Sequence, residues 1–219
     1  MKPNEQPPAH IPPLRFHGLT RVYDWAVGRA MPELAFRRAL LRQAGLADHH
    51  SILDFGCGTA TMCFLIEEAV PHAGITGVDV DEGALAIARA KAEARRSTVQ
   101  LKQISPGALP FPDSSFDRVL SSLVFHHLPP AGKRTALAEC RRALRPGGEI
   151  HIADWGRPAG WLQRGGFFLT QLLDGFETTA DNVAGRLPQL IAEAGFEQVQ
   201  ERGYFRTAFG TLRLLSGKR

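Results

Sequence analysis

The sequence predicts an α/β fold with a mostly parallel sheet covered by helices on both faces. Three observations lead there. Apolar runs of four to six residues recur between residues 51 and 154, too short for helices and rich in β-branched residues. Stretches of helical periodicity separate them, which makes βαβ units. Glycine and proline clusters punctuate nearly every junction, and right-handed crossovers then fix most of the topology.

The elements follow in order. Residues 1–19 are rich in proline and polar groups and are expected to be disordered or extended. From Thr20 to Ala44, Val22, Trp25, Ala26, Met31, Leu34, Ala35, Leu40 and Leu41 recur near a helical period, predicting N-terminal helices within 20–48, broken before Pro32. Ser51 to Phe55 is the first strand, turning at Gly56-Cys57-Gly58-Thr59 into a helix over Ala60 to Val70. Ile75 to Asp79 is the second strand, and Gly83 to Arg95 an alanine-rich helix. Val99 to Ile104 and Phe116 to Ser121 are the next strands. A helix over Lys133 to Leu144 stops at Pro146-Gly147-Gly148, and Glu149 to Asp154 is the fifth strand. After Trp155 the alternation lapses until a last helix over Val183 to Ala194. Phe196 to Arg202 and Phe205 to Leu215 then read as an antiparallel pair turning at Gly203.

Composition narrows the function. No apolar run reaches the roughly 18 residues that span a bilayer, and the start lacks the apolar stretch of a secretory signal, so a cytoplasmic protein without a membrane span is expected. Three cysteines without a CxxC pair argue against a disulfide framework and a structural zinc. A net charge of +4 is spread over scattered arginines with no basic block, so no specific nucleic-acid partner is expected. A monomer or homodimer is expected.

The chemistry concentrates at the first βα turn. Glycines there let backbone N–H groups approach a ligand closely. Asp79 ends the next strand 23 positions after Gly56, near the roughly 20-residue offset at which a carboxylate meets a ribose hydroxyl pair. A dinucleotide fingerprint would need a third glycine at position 61, where this chain has Thr61. S-adenosylmethionine carries no pyrophosphate and does not need that glycine.

The segment Ile52-Leu53-Asp54-Phe55-Gly56-Cys57-Gly58-Thr59 resembles the first motif of class I S-adenosylmethionine-dependent methyltransferases. Leu109 to Asp117 resembles the approach to their fourth strand, and Leu123 to Leu128 and Arg142 to Gly148 resemble the two motifs after it. Glu193-Ala194-Gly195-Phe196 and Gly210-Thr211-Leu212 resemble the tail of the ubiquinone- and menaquinone-biosynthesis branch. The resemblance implies a Rossmann-like three-layer sandwich on a seven-stranded sheet whose last strand is antiparallel. It implies one methyltransferase domain over 20–219, with a cofactor-binding core over 51–154 and an acceptor lid inserted at 155–181. S-adenosylmethionine, leaving as S-adenosylhomocysteine, would be the cofactor, with no metal. Gly56, Cys57 and Gly58 would pass under its methionine part, with Asp54 near the amino group. Asp79 would hold the ribose and Val80 pack on the adenine, with Ser121 and Leu123 completing the pocket. Two positions depart from the pattern. Ala60 replaces the motif's third glycine, and Ser105 replaces the acidic residue that meets the adenine amino group.

Three side chains are candidates for catalysis. His126 and His127 follow the fourth strand, where histidine could take a proton near neutral pH. His127 has the alternative of a packed structural role, with His126 facing the acceptor. Tyr23 resembles a tyrosine that closes over the cofactor, and helix packing is its other reading. Within 161–176, Trp161, Phe167, Phe168, Leu169, Leu172, Leu173 and Phe176 have helical spacing. They suit either a core helix or a lid with an apolar inner face, hinged at Gly160, Gly165 and Gly166. The expected activity is methyl transfer to an apolar or aromatic small molecule. The alternatives are a nucleic-acid or protein methyltransferase and a non-catalytic cofactor-binding relative.

Overall fold

The computed structural model describes residues 33–219, apart from the side chains of residues 169, 170, 173 and 174. Tyr23, the 1–19 segment and the helix expected before Pro32 lie outside the described residues. Helix α1 (Glu33–Ala44) leads into β1 (Ser51–Phe55), α2 (Thr61–Ala69), β2 (Gly74–Asp79), α3 (Glu82–Arg95), β3 (Gln100–Gln103) and β4 (Phe116–Ser122). A 3₁₀ turn (Phe125–His127) precedes α4 (Pro130–Ala143) and β5 (Leu144–Gly156). The chain closes with α5 (Trp161–Asp174), α6 (Phe176–Val183), α7 (Leu187–Glu193), β6 (Glu197–Thr207) and β7 (Gly210–Lys218).

The strands form one seven-stranded sheet in the order β3-β2-β1-β4-β5-β7-β6. Strands β1 to β5 pair in parallel, and β7 runs antiparallel to both of its neighbours, as expected. Neighbouring residues in a strand point to opposite faces, so the central strands fill two cores. Ile52, Leu120 and Leu214 face α1, α2 and α3, in a core with Phe36, Met62 and Leu85. Leu53, Val119 and Leu215 face α4 and α7, in a core with Leu137, Cys140 and Leu190. The order reverses between β1 and β4, and ligands in open α/β sheets bind at the carboxyl ends beside such a reversal.

Local chemistry sets the junctions. Asp81 caps α3 by accepting from Gly83 N at 2.8 Å and Ala84 N at 3.2 Å, satisfying donors the helix leaves unpaired. Pro130 starts α4, where a missing N–H costs nothing.

Four sequence expectations change. Strand β5 begins at Leu144, not Glu149, because Leu144 pairs with Phe116 and Pro146-Gly147-Gly148 lies in a register shift within the strand. The closing hairpin turns at Ala208-Phe209. Gly203 instead sits inside β6, where the pairing slips between Glu201 and Gly203; its glycine marks a bulge rather than a turn. The expected helix over 183–194 is two helices, divided at Gly185 with φ +71°. The lapse after Trp155 contains α5 and α6. Within α5, Phe167 is buried, as is Gln171, and meets Trp155 edge-on at 5.7 Å. Trp161, Phe168 and Leu172 lie on the outer face, 82%, 49% and 57% exposed. Gly165 and Gly166 lie within the helix, and a Cβ on Gly166 would sit 1.8 Å from the Ala208 carbonyl oxygen, so close packing accounts for that glycine.

Candidate active site

The turn after β1 is shaped by its glycines. Gly56 has φ +74°, and a Cβ there would fall 2.3 Å from Val124 Cγ2, so the loop after β4 comes too close for any side chain. Gly56 N and Cys57 N both donate to the Val78 carbonyl at 2.9 Å, tying the turn to β2. Gly58, with φ +52°, faces open space where its Cβ would be, and its N–H donates to Asp79 Oδ2 at 2.7 Å. Ala60, in the place of the expected third glycine, also adopts a left-handed φ of 62°. An alanine there costs roughly 1–2 kcal/mol that glycine would not.

Asp79 Oδ1 accepts from Asp81 N at 3.0 Å, so both carboxylate oxygens are oriented by backbone at the rim of the cleft. Val80 beside it is half-buried, and Ser105 is exposed. Asp54 is buried beneath the turn, and its Oδ2 accepts from Cys63 Sγ at 3.1 Å. Burial drives its carboxyl up to about 6, against a smaller opposing effect of the Cys63 hydrogen bond and of Arg37. A buried carboxylate held there favours a cation beside it. Cys57 is buried in the turn. Ser121 is fully buried, its hydroxyl donating to the Phe55 carbonyl at 2.9 Å, so it braces β1 against β4 below the cleft. Leu123 follows β4 with φ +60°, anchored by its N–H on the Ala153 carbonyl at 2.8 Å.

This set fits S-adenosylmethionine. Gly58 leaves a side-chain-free cradle, Asp79 presents an oriented carboxylate, and Asp54 holds a charge that a bound ammonium would neutralise.

Of the two histidines, the one expected to pack is the exposed one. His126 is the buried one, at 4% exposure, and His127 is exposed, its ring 3.8 Å from that of His126. Asp154, at the end of β5, makes the difference. Its Oδ1 lies 2.8 Å from His126 Nδ1 and accepts from Trp155 N at 2.7 Å. Its Oδ2 accepts from Val124 N at 3.0 Å and Phe125 N at 2.7 Å, capping the 3₁₀ turn that carries His126. Asp154 is fully buried, which raises its pKa; His126, its hydrogen bond and His127 outweigh that, and the carboxyl lies below its usual range. An ionised carboxylate only accepts, so Nδ1 is the nitrogen that donates to Asp154.

Sequence reasoning missed the surroundings of this pair. Lys133 on α4 and Thr179, Asp181 and Asn182 on α6 are all buried there. Lys133 Nζ donates to the Thr178 carbonyl and lies 3.7 Å from Asp181 Oδ2, while Asp181 Oδ1 pairs with Arg186. Polar residues on an inward helix face leave no mark in a hydropathy pattern, so no sequence signal pointed to them. Among the described residues no group of three or more His, Cys, Asp or Glu side chains is placed to hold a metal ion. None of their helices is long and apolar enough to cross a membrane.

Comparison with known proteins bears directly on this geometry. A family model described as a methyltransferase domain matches residues 52–148, the stretch carrying the glycine turn, Asp79 and both histidines. A demethylmenaquinone methyltransferase of Listeria monocytogenes is 30% identical over 170 residues, which span 68% of this chain and 71% of that protein. The chain belongs to the class I S-adenosylmethionine-dependent methyltransferases. Within them it lies on the menaquinone-type branch. The demethylmenaquinone methyltransferase of Thermus thermophilus is 36% identical over 126 residues, and the match spans 58% of this chain but little more than half, 56%, of that relative. The solved structure of an S-adenosylmethionine-dependent methyltransferase from Aquifex aeolicus shares the fold, with a TM-score of 0.65 at 16% identity over 91% of this chain and 96% of that one.

Proposed function

We propose that this methyltransferase moves the methyl group of S-adenosylmethionine to a hydroxylated aromatic acceptor of quinone type, with His126 as the general base. The observation that carries the reading is the buried His126–Asp154 pair, 2.8 Å apart, directly after the strand that borders the glycine cradle. The relatives named for demethylmenaquinone support the acceptor class.

When bound, the sulfonium supplies an already activated methyl group. The chain's own residues do the rest. Gly56 and Gly58 give the cofactor backbone room, Asp79 meets the ribose hydroxyls, and Asp54 meets the ammonium. Val80 and Ser105 border the adenine. His126 Nε2 takes the proton from the acceptor hydroxyl, while Nδ1–H stays on Asp154, which stabilises the imidazolium that forms. A group held at near-attack distance in a dry site contributes more than acid–base work alone. Three free, buried cysteines suit a reducing cytoplasm.

Calorimetric titration with S-adenosylmethionine and a methyl-transfer assay on naphthohydroquinone test the reading together. Asp79→Ala is expected to remove measurable cofactor binding, since it deletes two charged hydrogen bonds worth about 1.5–3 kcal/mol each. His126→Gln is expected to bind cofactor normally and to lose about 100-fold or more in turnover. Unchanged binding in folded Asp79→Ala would refute the cofactor site; unchanged turnover in His126→Gln would refute the base.

A further inference from the structure

Asp154 Oδ1 receives a third donor besides His126 Nδ1 and Trp155 N. It is Asn182 Nδ2 of α6, at 3.4 Å, and the same nitrogen donates to the Trp155 carbonyl at 2.8 Å. Both partners are acceptors, so the orientation of the amide is fixed by chemistry: a flipped Asn182 would set oxygen against oxygen. Asn182 is completely buried, and its own Oδ1 has no hydrogen-bond partner among the described residues. An amide with one end unpaired is poor structural filling, because burying an unsatisfied polar atom costs about 1–3 kcal/mol and a leucine would pack there without that cost.

The neighbouring residue fastens the same helix independently. Asp181 faces the fully buried Lys133, whose ammonium donates to the Thr178 carbonyl of α6, and Arg186 closes on Asp181 from the other side. Helix α6 is therefore pinned by one ion-paired residue and touches the reacting pair with the next. It lies beyond residues 52–148, the part matched by the methyltransferase model.

We propose that Asn182 is a positioning residue for the His126–Asp154 pair, and that α6 thereby belongs to the reaction machinery. The amide holds the Asp154 carboxylate in line with His126 Nδ1 and takes up part of its charge, so that His126 is aligned without being made too basic to stay neutral. Among the described residues, the charged and titratable groups around the His126–Asp154 pair are His127, Lys133 on α4, and Asp181 on α6 with Arg186 beyond its end. Among the described residues, Asn182 is the side chain besides His126 that hydrogen-bonds the Asp154 carboxylate. The inference rests on His126 being the base proposed above.

The test is histidine NMR titration of the full chain, assigned with His126→Gln, alongside naphthohydroquinone turnover at pH 7 and about pH 9. In Asn182→Leu the His126 midpoint is expected to rise by about one pH unit, because Asp154 gives more of its charge to the imidazolium. Turnover at pH 7 then falls at least about threefold, to a limit of about tenfold, and recovers in part at about pH 9, while the Michaelis constant for S-adenosylmethionine stays within about twofold. Asn182→Ala removes the donor with no added charge and is expected to raise the midpoint in the same way; it serves if Asn182→Leu does not fold. Unmoved midpoints in either folded variant, with His126→Gln inactive, overturn the positioning role and leave the base standing. An active His126→Gln overturns both.

Discussion

Asp54→Asn should make the protein more stable and a worse cofactor binder at once. The carboxyl of Asp54 rises from 3.8 to about 6 in the folded chain, chiefly through burial. That rise corresponds to about 3 kcal/mol, the penalty the folded state carries at neutral pH for keeping this group charged. Asparagine removes the charge and still accepts from Cys63, but its buried NH₂ needs acceptors and costs about 1–3 kcal/mol where it finds none. The net expectation is a gain of about 0–2 kcal/mol at pH 7, or up to about 8 °C in melting temperature for a chain of this size. Cofactor affinity moves the other way. Losing a charged partner for the ammonium costs about 1.5–3 kcal/mol, a weakening of roughly 10- to 150-fold.

The pH dependence separates this account from a trivial one. The folded pKa lies above the unfolded value, so between about 6 and 3.8 the folded chain binds the proton first and wild type gains stability as the pH falls. The advantage of Asp54→Asn should therefore be largest at pH 7 and gone near pH 4. Urea denaturation of both proteins across that range, with calorimetric cofactor titration at pH 7, measures both effects. A variant that is less stable at pH 7 and binds cofactor as wild type does would refute the reasoning.

Further expectations concern three other places. Ser105→Asp restores a charged acceptor at an exposed position and should leave cofactor affinity unchanged or tighter; a loss beyond about tenfold would mean that Ser105 does not border the adenine. Alanine at both Phe168 and Leu172 should leave the melting temperature within about 2 °C, because both lie on the outer face of α5, and a larger drop would show that the face is covered. His151 is buried and pushed down to about 3 by burial, then by Arg118 and Arg202. Its stabilising contribution is full above the unfolded pKa of 6.5 and is lost as the pH falls toward 3, so His151→Leu should flatten the decline in melting temperature between about pH 6.5 and 5.

The core was legible because its code is simple. Strands buried on both faces read as continuous apolar runs, and β1, β2 and β4 appeared within a residue or two of their observed bounds. The glycine turn was legible for a different reason: Gly56 and Gly58 occupy backbone geometry that few other residues tolerate. Where two physical causes leave the same mark, the reading went astray. A glycine marks a turn or a bulge, and Gly203 is the bulge. Adjacent residues in a helix diverge by about 100°, so Phe167 and Phe168 fit one periodicity equally well, and contact with Trp155 selects Phe167. His126 and His127 pose the same ambiguity, settled by a carboxylate 28 positions away that no local pattern connects to them.

The backbone itself points to the same place. Ala60 and Leu123 hold left-handed conformations without being glycine, each at the carboxyl end of one of the two strands flanking the sheet's reversal. Arg96, Ser114 and Gln198, the other described non-glycine residues with positive φ, lie away from that reversal. A strain of roughly 1–2 kcal/mol at each position persists only where the surroundings over-determine it. Here they do: Ala60 N donates to the Cys57 carbonyl at 2.9 Å, and Leu123 N to the Ala153 carbonyl at 2.8 Å. What the two bends achieve is access. The first follows the Gly56–Gly58 turn, which Asp79 holds through the Gly58 N–H, and starts α2; the second turns the chain off β4 into the 3₁₀ turn that Asp154 caps. One bend borders the glycine turn and the other leads into His126, so under the proposed function the strained residues would set donor and base on adjoining sides of one site.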